Sequence, residues 1–197
     1  MQLNELDELH YICPISNLRS VLTLGILSHR GAENVPHVSV AMDEIQDIRT
    51  GVQVPGGRPL HEYVNLYFCG RNPMMSKRRA SHTELLVLRI STDVLQSPEV
   101  VISDQNAASK YARFARAPGG LAIVNRERVF ADDWRHPDDL IDNWRHSSQK
   151  CAEVLVPDRV GPGFIEGAYV SGSASLNSVW NVAPSLPVTT NGHLFFR

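Results

Sequence analysis

YVNLYFCGRNPMMSKRRASHTELLVLRIS, Tyr63 to Ser91, holds two of the clearest strand signals in the chain, Tyr63–Phe68 and Thr83–Ser91. Both are short runs rich in aromatic and branched residues, and turn residues bound them. Between them lie Arg-Asn-Pro-Met-Met and three consecutive cations, Lys77, Arg78 and Arg79. A dinucleotide-binding β-α-β unit opens with a G-x-G-x-x-G turn. The chain contains no such motif.

Outward from this stretch, short strands and short helices alternate irregularly. Leu9–Cys13 reads as a short apolar strand, and Pro14–Gly25 reads as a helix with Ile15, Leu18, Val21 and Leu22 on one face. Ser39–Thr50 holds a short helix with Asp43 and Glu44 near its start, and Gly51–Glu62 is a Gly- and Pro-rich loop. Strands are expected at Glu99–Ser103, Gly119–Val124, Arg128–Phe130, Ala152–Pro157 and Phe164–Ser171. Helices are expected over Asn106–Arg116, in part of His136–Lys150, and over Ser173–Ala183. The pattern is α+β and not a doubly wound nucleotide fold. With 197 residues, the expectation is one domain over 1–197, with 184–197 a tail that is either flexible or tied down by its two phenylalanines.

Composition narrows the function classes. The formal net charge is −2, so nucleic-acid contact would come from a local patch and not from the whole-molecule field. No apolar run is long enough to span a bilayer, and the acidic N-terminus lacks a basic-then-apolar signal, so a cytoplasmic protein without membrane contact is expected. Cys13, Cys69 and Cys151 are odd in number and widely spaced. Neither a disulfide framework nor a metal site is expected, and no H-E-x-x-H occurs.

The residues that could carry chemistry each read two ways. Glu153 is either a surface carboxylate at a strand end or an acid at the lip of a cleft, because an acid entering the buried Val-Leu-Val run needs a partner. Arg49 is either a helix-terminal cation or an anion ligand with a fixed fork of donors. His10 and Tyr11 precede a helix N-terminus that favours anions, or they simply pack. Lys77, Arg78 and Arg79 are a solvated turn or a phosphate-binding patch, to which Arg71 and Arg89 could add. Arg113 and Arg116 with Tyr111 and Phe114 form a second basic-aromatic cluster suited to single strands. Trp134 and Trp144 either anchor a surface helix or offer stacking faces in a substrate loop.

Four segments taken in order, LHYICPISNLRSVLTLGILSHRGA, DIRTG, LHEYVNLYFCGRNPMMSKRR and KCAEVLVPDRV, resemble the DarT family, the toxins of DarT–DarG toxin–antitoxin systems. The resemblance runs from about His10 to about Val182. It implies the ADP-ribosyltransferase fold, with two small packed β-sheets around an NAD cleft and helices outside. It implies transfer of ADP-ribose from NAD, consumed as a substrate and without a metal, to a thymine or guanine base of single-stranded DNA. The family's essential Arg and Glu fall on Arg49 and Glu153. Its NAD contacts fall on His10, Tyr11, Ile12 and Cys13 and around Ser20 and Ser28, with Arg49 near the pyrophosphate or base. Asp132–Lys150 would be the substrate-recognition loop. Lys77, Arg78 and Arg79 would then meet DNA phosphate, and a DarG-type macrodomain antitoxin is the implied partner. Many members read Tyr-His-Ile-Thr where this chain has His10-Tyr11-Ile12-Cys13, which puts Tyr11 in the place of their His. The alternatives are a related transferase acting on RNA or protein, and a catalytically silent nucleic-acid-binding domain. The presence of both Arg49 and Glu153 argues against the latter.

Overall fold

The computed structural model describes the backbone of residues 1–197 and every side chain except that of Asp43. In chain order the elements are β1 Leu9–Pro14, α1 Leu18–Leu24, β2 Ile26–Leu27, α2 His29–Ala32, α3 Asp43–Thr50, β3 Tyr63–Tyr67, α4 Pro73–Arg78 and β4 Leu85–Ile90. They continue with β5 Val101–Ser103, β6 Phe114–Arg116, α5 Arg126–Phe130, α6 Leu140–Gln149, β7 Glu153–Pro157, β8 Arg159–Val160, β9 Ile165–Val170, α7 Ser173–Val182 and β10 Val188–Thr190. None of the helices is long and apolar enough to cross a membrane.

The α+β class is the observed one. The two small packed sheets expected from the sequence join as one eight-stranded sheet of order β10-β9-β4-β1-β3-β7-β5-β6, with β2 and β8 forming a ribbon. The reason lies at the centre of the sheet. β1 pairs with β4 along its whole length, but with β3 only through His10 and Tyr67. Two four-stranded halves therefore meet at a narrow seam. All pairs are antiparallel except β9 with β10.

Alternation along the strands sorts side chains between two faces. Val64 and Leu66 of β3, Leu86, Leu88 and Ile90 of β4, and Val154 and Val156 of β7 enter the main core with Leu18 of α1 and Val179 of α7. Fully burying each such side chain contributes roughly 1.5–3 kcal/mol. The opposite face carries Tyr63, Asn65 and Tyr67 of β3 and Glu153 of β7, which line a cavity. α1 stops at Gly25, whose φ is +84°, and a Cβ there would collide with the Val160 carbonyl oxygen. Glycine thus lets α1 turn tightly into the β2–β8 ribbon.

Three local expectations fail for identifiable reasons. Asn106–Arg116 is a turn leading into β6, not a helix. Two of its backbone donors go to side chains outside it: Ala107 N–H to Glu153, and Arg113 N–H to Asp104, whose other oxygen also accepts from Arg113 Nε at 2.7 Å. Arg128–Phe130 lies in α5 and not in a strand, because the Asn125 side chain accepts from Arg128 N–H and caps a helix. Gly119–Ile123 is a 3-10 turn, and Gly120 sits too close to the Ala115 carbonyl for any side chain. The segment 184–197 is tied down: Val188–Thr190 pairs with β9, and the Phe195 side chain is fully buried.

Candidate active site

The cavity has a volume of about 490 Å³. Its floor is the cleft face of β3 and β7. One wall comes from α3 and the segment before it, the other from α4 and α6. α4 is placed by Asn72, whose side-chain oxygen accepts from Met75 N–H at 3.0 Å while its amide donates to the Cys69 carbonyl. With Pro73 in the first turn, the helix starts almost directly after β3. Met75 then enters the core, while Met74 and Lys77 face the cavity, and the Tyr67 hydroxyl donates to Met74 Sδ at 3.3 Å.

Arg49 and Glu153, 104 residues apart in sequence, meet in the cavity wall. Arg49 Nη1 donates to both Glu153 carboxylate oxygens, at 3.2 and 3.1 Å. The side chains are 6 % and 1 % exposed, so this is a buried ion pair. Ala107 N–H adds a longer contact to Glu153 Oε1 at 3.4 Å. Glu153 occupies a central position in its sheet half, opposite Tyr67 on β3 and Ser103 on β5. Arg49 comes from the last turn of α3. The neighbourhood responds to this burial and charge. Burial pushes the Tyr67 phenol well above its ordinary range, and the Glu153 charge adds to it. Burial and then Glu153 push the Cys151 thiol up to about 12. His61, stacked on His29 with ring centroids 4.1 Å apart, is lowered by burial, by His29 and by the Arg49 charge. Its Nε2 is buried and unpartnered among the described residues.

Of the residues singled out in the sequence, the structure brings Arg49, Glu153, Tyr11, Ile12 and Lys77 to the cavity wall, with Trp144 from α6. Four of the NAD contacts that the resemblance implies do not reach it. His10 turns its ring to the Phe68 carbonyl and to Glu8, and Cys13 is buried against Pro14. Ser20 lies on α1 away from the cavity. Ser28 caps α2, so it acts on the wall through the next residue, His29. The basic run divides by role: Lys77 faces the cavity, Arg79 is exposed, and Arg78 donates to the Val40 and Ala41 carbonyls and so holds the segment over the cleft. Trp134 packs edge-on against Phe196 instead of facing the cleft. Arg113 is spent on Asp104, while Tyr111 is 86 % exposed. Tyr63, Asn65, Tyr67 and His61 line the cavity and were missed as site residues. The period-two pattern in YVNLY could have placed the first three on the face opposite Val64 and Leu66.

The geometry is a deep cleft with a buried Arg–Glu pair and a basic, aromatic rim. The family model described as "DarT: ssDNA thymidine ADP-ribosyltransferase, DarT" matches residues 10–195. The chain belongs to the DarT family. It is 31 % identical over 174 residues to a Thermosipho africanus DNA ADP-ribosyl transferase–DNA ADP-ribosyl glycohydrolase fusion protein, covering 83 % of this chain and 42 % of the fusion. It therefore spans less than half of that relative. Against a Thermus sp. DNA ADP-ribosyl transferase it is 30 % identical, covering 75 % of this chain and 73 % of the relative. The structure of Thermus sp. 2.9 DarT in complex with ADP-ribosylated ssDNA superposes with a TM-score of 0.84 at 24 % identity, covering 99 % of both chains. That likeness shows a shared ADP-ribosyltransferase fold, the fold class expected from the sequence. In this member of the DarT family the matched span begins within β1, at His10, and contains β3 and the positions of both residues of the buried pair.

Proposed function

We propose that this DarT family member transfers ADP-ribose from NAD⁺ to thymine in single-stranded DNA, with Glu153 and Arg49 as its catalytic residues. The observation that carries the reading is the buried Arg49–Glu153 pair in the wall of a cavity large enough for a dinucleotide segment. The named activity of the family and of the curated relatives supports it, as do the Thermus DarT complexes with NAD⁺ and with modified DNA.

The chemistry follows from the groups present. The bond between nicotinamide nitrogen and ribose C1′ breaks with its electron pair leaving on nicotinamide, so C1′ gains oxocarbenium character. A carboxylate held in a dry site offsets that charge and can hold a ribose hydroxyl. Glu153 is fixed for this by Arg49 and by the Ala107 amide. Thymine N3 carries the base's one N–H, and it forms the new bond to C1′ as that proton leaves to a base. The Glu153 carboxylate can take it. A guanidinium does not readily lose a proton, so Arg49 orients and stabilises. Nη1 alone makes both contacts to Glu153, which leaves Nε and Nη2 for an anionic substrate. Thymine N3 is occupied in a duplex, hence the single-stranded acceptor. Tyr11 and Ile12 line the NAD site, and Lys77 meets DNA phosphate at the rim.

An active enzyme of this kind needs neutralising in its host. A DarG-type macrodomain partner, working with it in the cytoplasm, fits that need, and the Thermosipho relative is itself a fusion with a DNA ADP-ribosyl glycohydrolase. The test is incubation with NAD⁺ and oligonucleotides of defined composition, followed by nucleoside mass spectrometry. ADP-ribosylated thymidine, formed in step with free nicotinamide, is the expected product. An adduct on guanosine would move the acceptor, and nicotinamide release without any DNA adduct would overturn the reading.

A further inference from the structure

Lys150 has no part in the chemistry above, yet it is only 1 % exposed. It closes α6, and its Nζ donates to the Val129 carbonyl at 2.7 Å and to Cys69 Sγ at 3.2 Å. Among the described residues no carboxylate lies within ion-pair distance of it. Burying an amine this way is costly, and a sulfur atom is a weak acceptor to spend it on. Among the described residues Cys69 Sγ makes one other hydrogen bond, a long one of 3.5 Å to the Arg71 carbonyl. The three thiols are not equivalent. Cys13 and Cys151 are buried, and burial pushes both thiols up to about 12, Cys151 with a contribution from Glu153. Cys69 is partly exposed, so a small oxidant can reach it.

We propose that Cys69 and Lys150 are a redox modification site, at which peroxide drives formation of a covalent S–N bond between Sγ and Nζ. Cys69 sulfur first attacks one peroxide oxygen, the O–O bond breaks, and a sulfenic acid and water result. Nζ, as the free amine, then attacks the sulfenic sulfur. The S–O bond breaks, and the departing hydroxide takes a proton from nitrogen to leave as a second water. One thiol, one amine and one peroxide thus give one sulfenamide and two waters. The nitrogen already sits 3.2 Å from the sulfur, so the second step needs no search. An external thiol would reverse it by attacking sulfur and releasing the amine.

The position gives the link a consequence. Cys69 lies two residues beyond Tyr67 of β3, and Lys150 three residues before Glu153 of β7, and Tyr67 and Glu153 are register partners. The bond would staple the end of β3 to the point where α6 returns to the sheet beside the cleft. It would also shield Cys69 from deeper oxidation.

The test treats the folded protein with hydrogen peroxide, blocks remaining thiols by alkylation, and maps peptides by mass spectrometry. Expected are Cys69 and Lys150 peptides joined at a mass two hydrogens below their sum, lost on dithiothreitol treatment, with Cys13 and Cys151 still alkylated. Lys150→Arg keeps a donor for the Val129 carbonyl, and in it Cys69 should go on to the sulfinic acid. A wild-type Cys69 that stays a thiol, or becomes sulfinic acid beside a free Lys150, overturns the proposal. The wild-type map decides even where the variant folds poorly.

Discussion

Two polar clusters flank the seam where β1 meets β3, and they differ in one respect. On one side Arg49 and Glu153 form an ion pair at 3.1 Å. On the other, Glu8 accepts from Arg89 Nε at 2.5 Å and from His10 Nε2 at 3.1 Å, with the Arg89 guanidinium over the Tyr169 ring. Each joins an acid to a cation across distant parts of the chain, and each is at least half-buried. Only the first opens onto the cavity. Burial and pairing are therefore not what marks Arg49–Glu153 as the candidate catalytic pair, since structural networks show both. The difference is an open face from which a substrate can reach the same groups. His10 illustrates the difference: the family pattern puts it among the NAD contacts, and its ring is hydrogen-bonded within the Glu8 cluster.

The largest effect that would sharpen the contrast comes from Glu153→Gln. The amide keeps the shape but loses the charge and the proton acceptor, so transfer to thymine should fall by about 10²–10⁴-fold. The far-UV spectrum should stay near wild type, while the thermal midpoint falls because the buried Arg49 cation loses its charged partner. Arg49→Ala should lose activity to a similar extent, and it leaves the buried Glu153 charge unpaired, a cost of about 3–5 kcal/mol that denaturant melts can read. If Glu153→Gln turns over at the wild-type rate, the two clusters are alike in being structural.

The rim gives a smaller effect. Lys77→Ala should weaken DNA modification by roughly tenfold or less, with a shallower salt dependence, while slow NAD⁺ hydrolysis is spared. Arg78→Ala should behave differently although it is the next residue. It loses the bonds to the Val40 and Ala41 carbonyls that hold the cleft-side segment, so both reactions should suffer. Equal losses from the two variants in both assays would mean that the basic run acts as one unit.

How far the sequence revealed this arrangement depends on the range of the interactions. β3, β4 and β7 were readable because alternation and branched side chains are local signals. Arg49 and Glu153 were ambiguous by pattern, since each needed a partner 104 residues away, and the family resemblance rather than spacing picked them out. The turn at Asn106–Arg116 was misread as helix because its donors are taken by Asp104 and Glu153, contacts that no local propensity contains. The run Lys77–Arg79 looked uniform, but consecutive residues on a short helix point about 100° apart, so one faces the cavity, one clamps a neighbouring segment and one meets solvent.

The smallest effect on activity should come from the Glu8 cluster, and it bears directly on the contrast. Burial alone would raise the Glu8 carboxyl, but hydrogen bonds from His10, Arg89 and Tyr169 outweigh it and bring it from 4.5 down to about 2. A carboxylate depressed in the folded state contributes stability that is complete above its unfolded value and is lost as pH falls through the folded one. The window is therefore from about 4.5 down to about 2. Partial exposure and solvent screening reduce the contribution to on the order of 2–3 kcal/mol at neutral pH. Glu8→Gln should leave the transfer rate unchanged at neutral pH, lower the urea midpoint there, and flatten the decline in stability across that acid window. A variant that stays as stable as wild type but loses transfer would place Glu8 with Glu153, and the cavity would no longer be the feature that separates the two clusters.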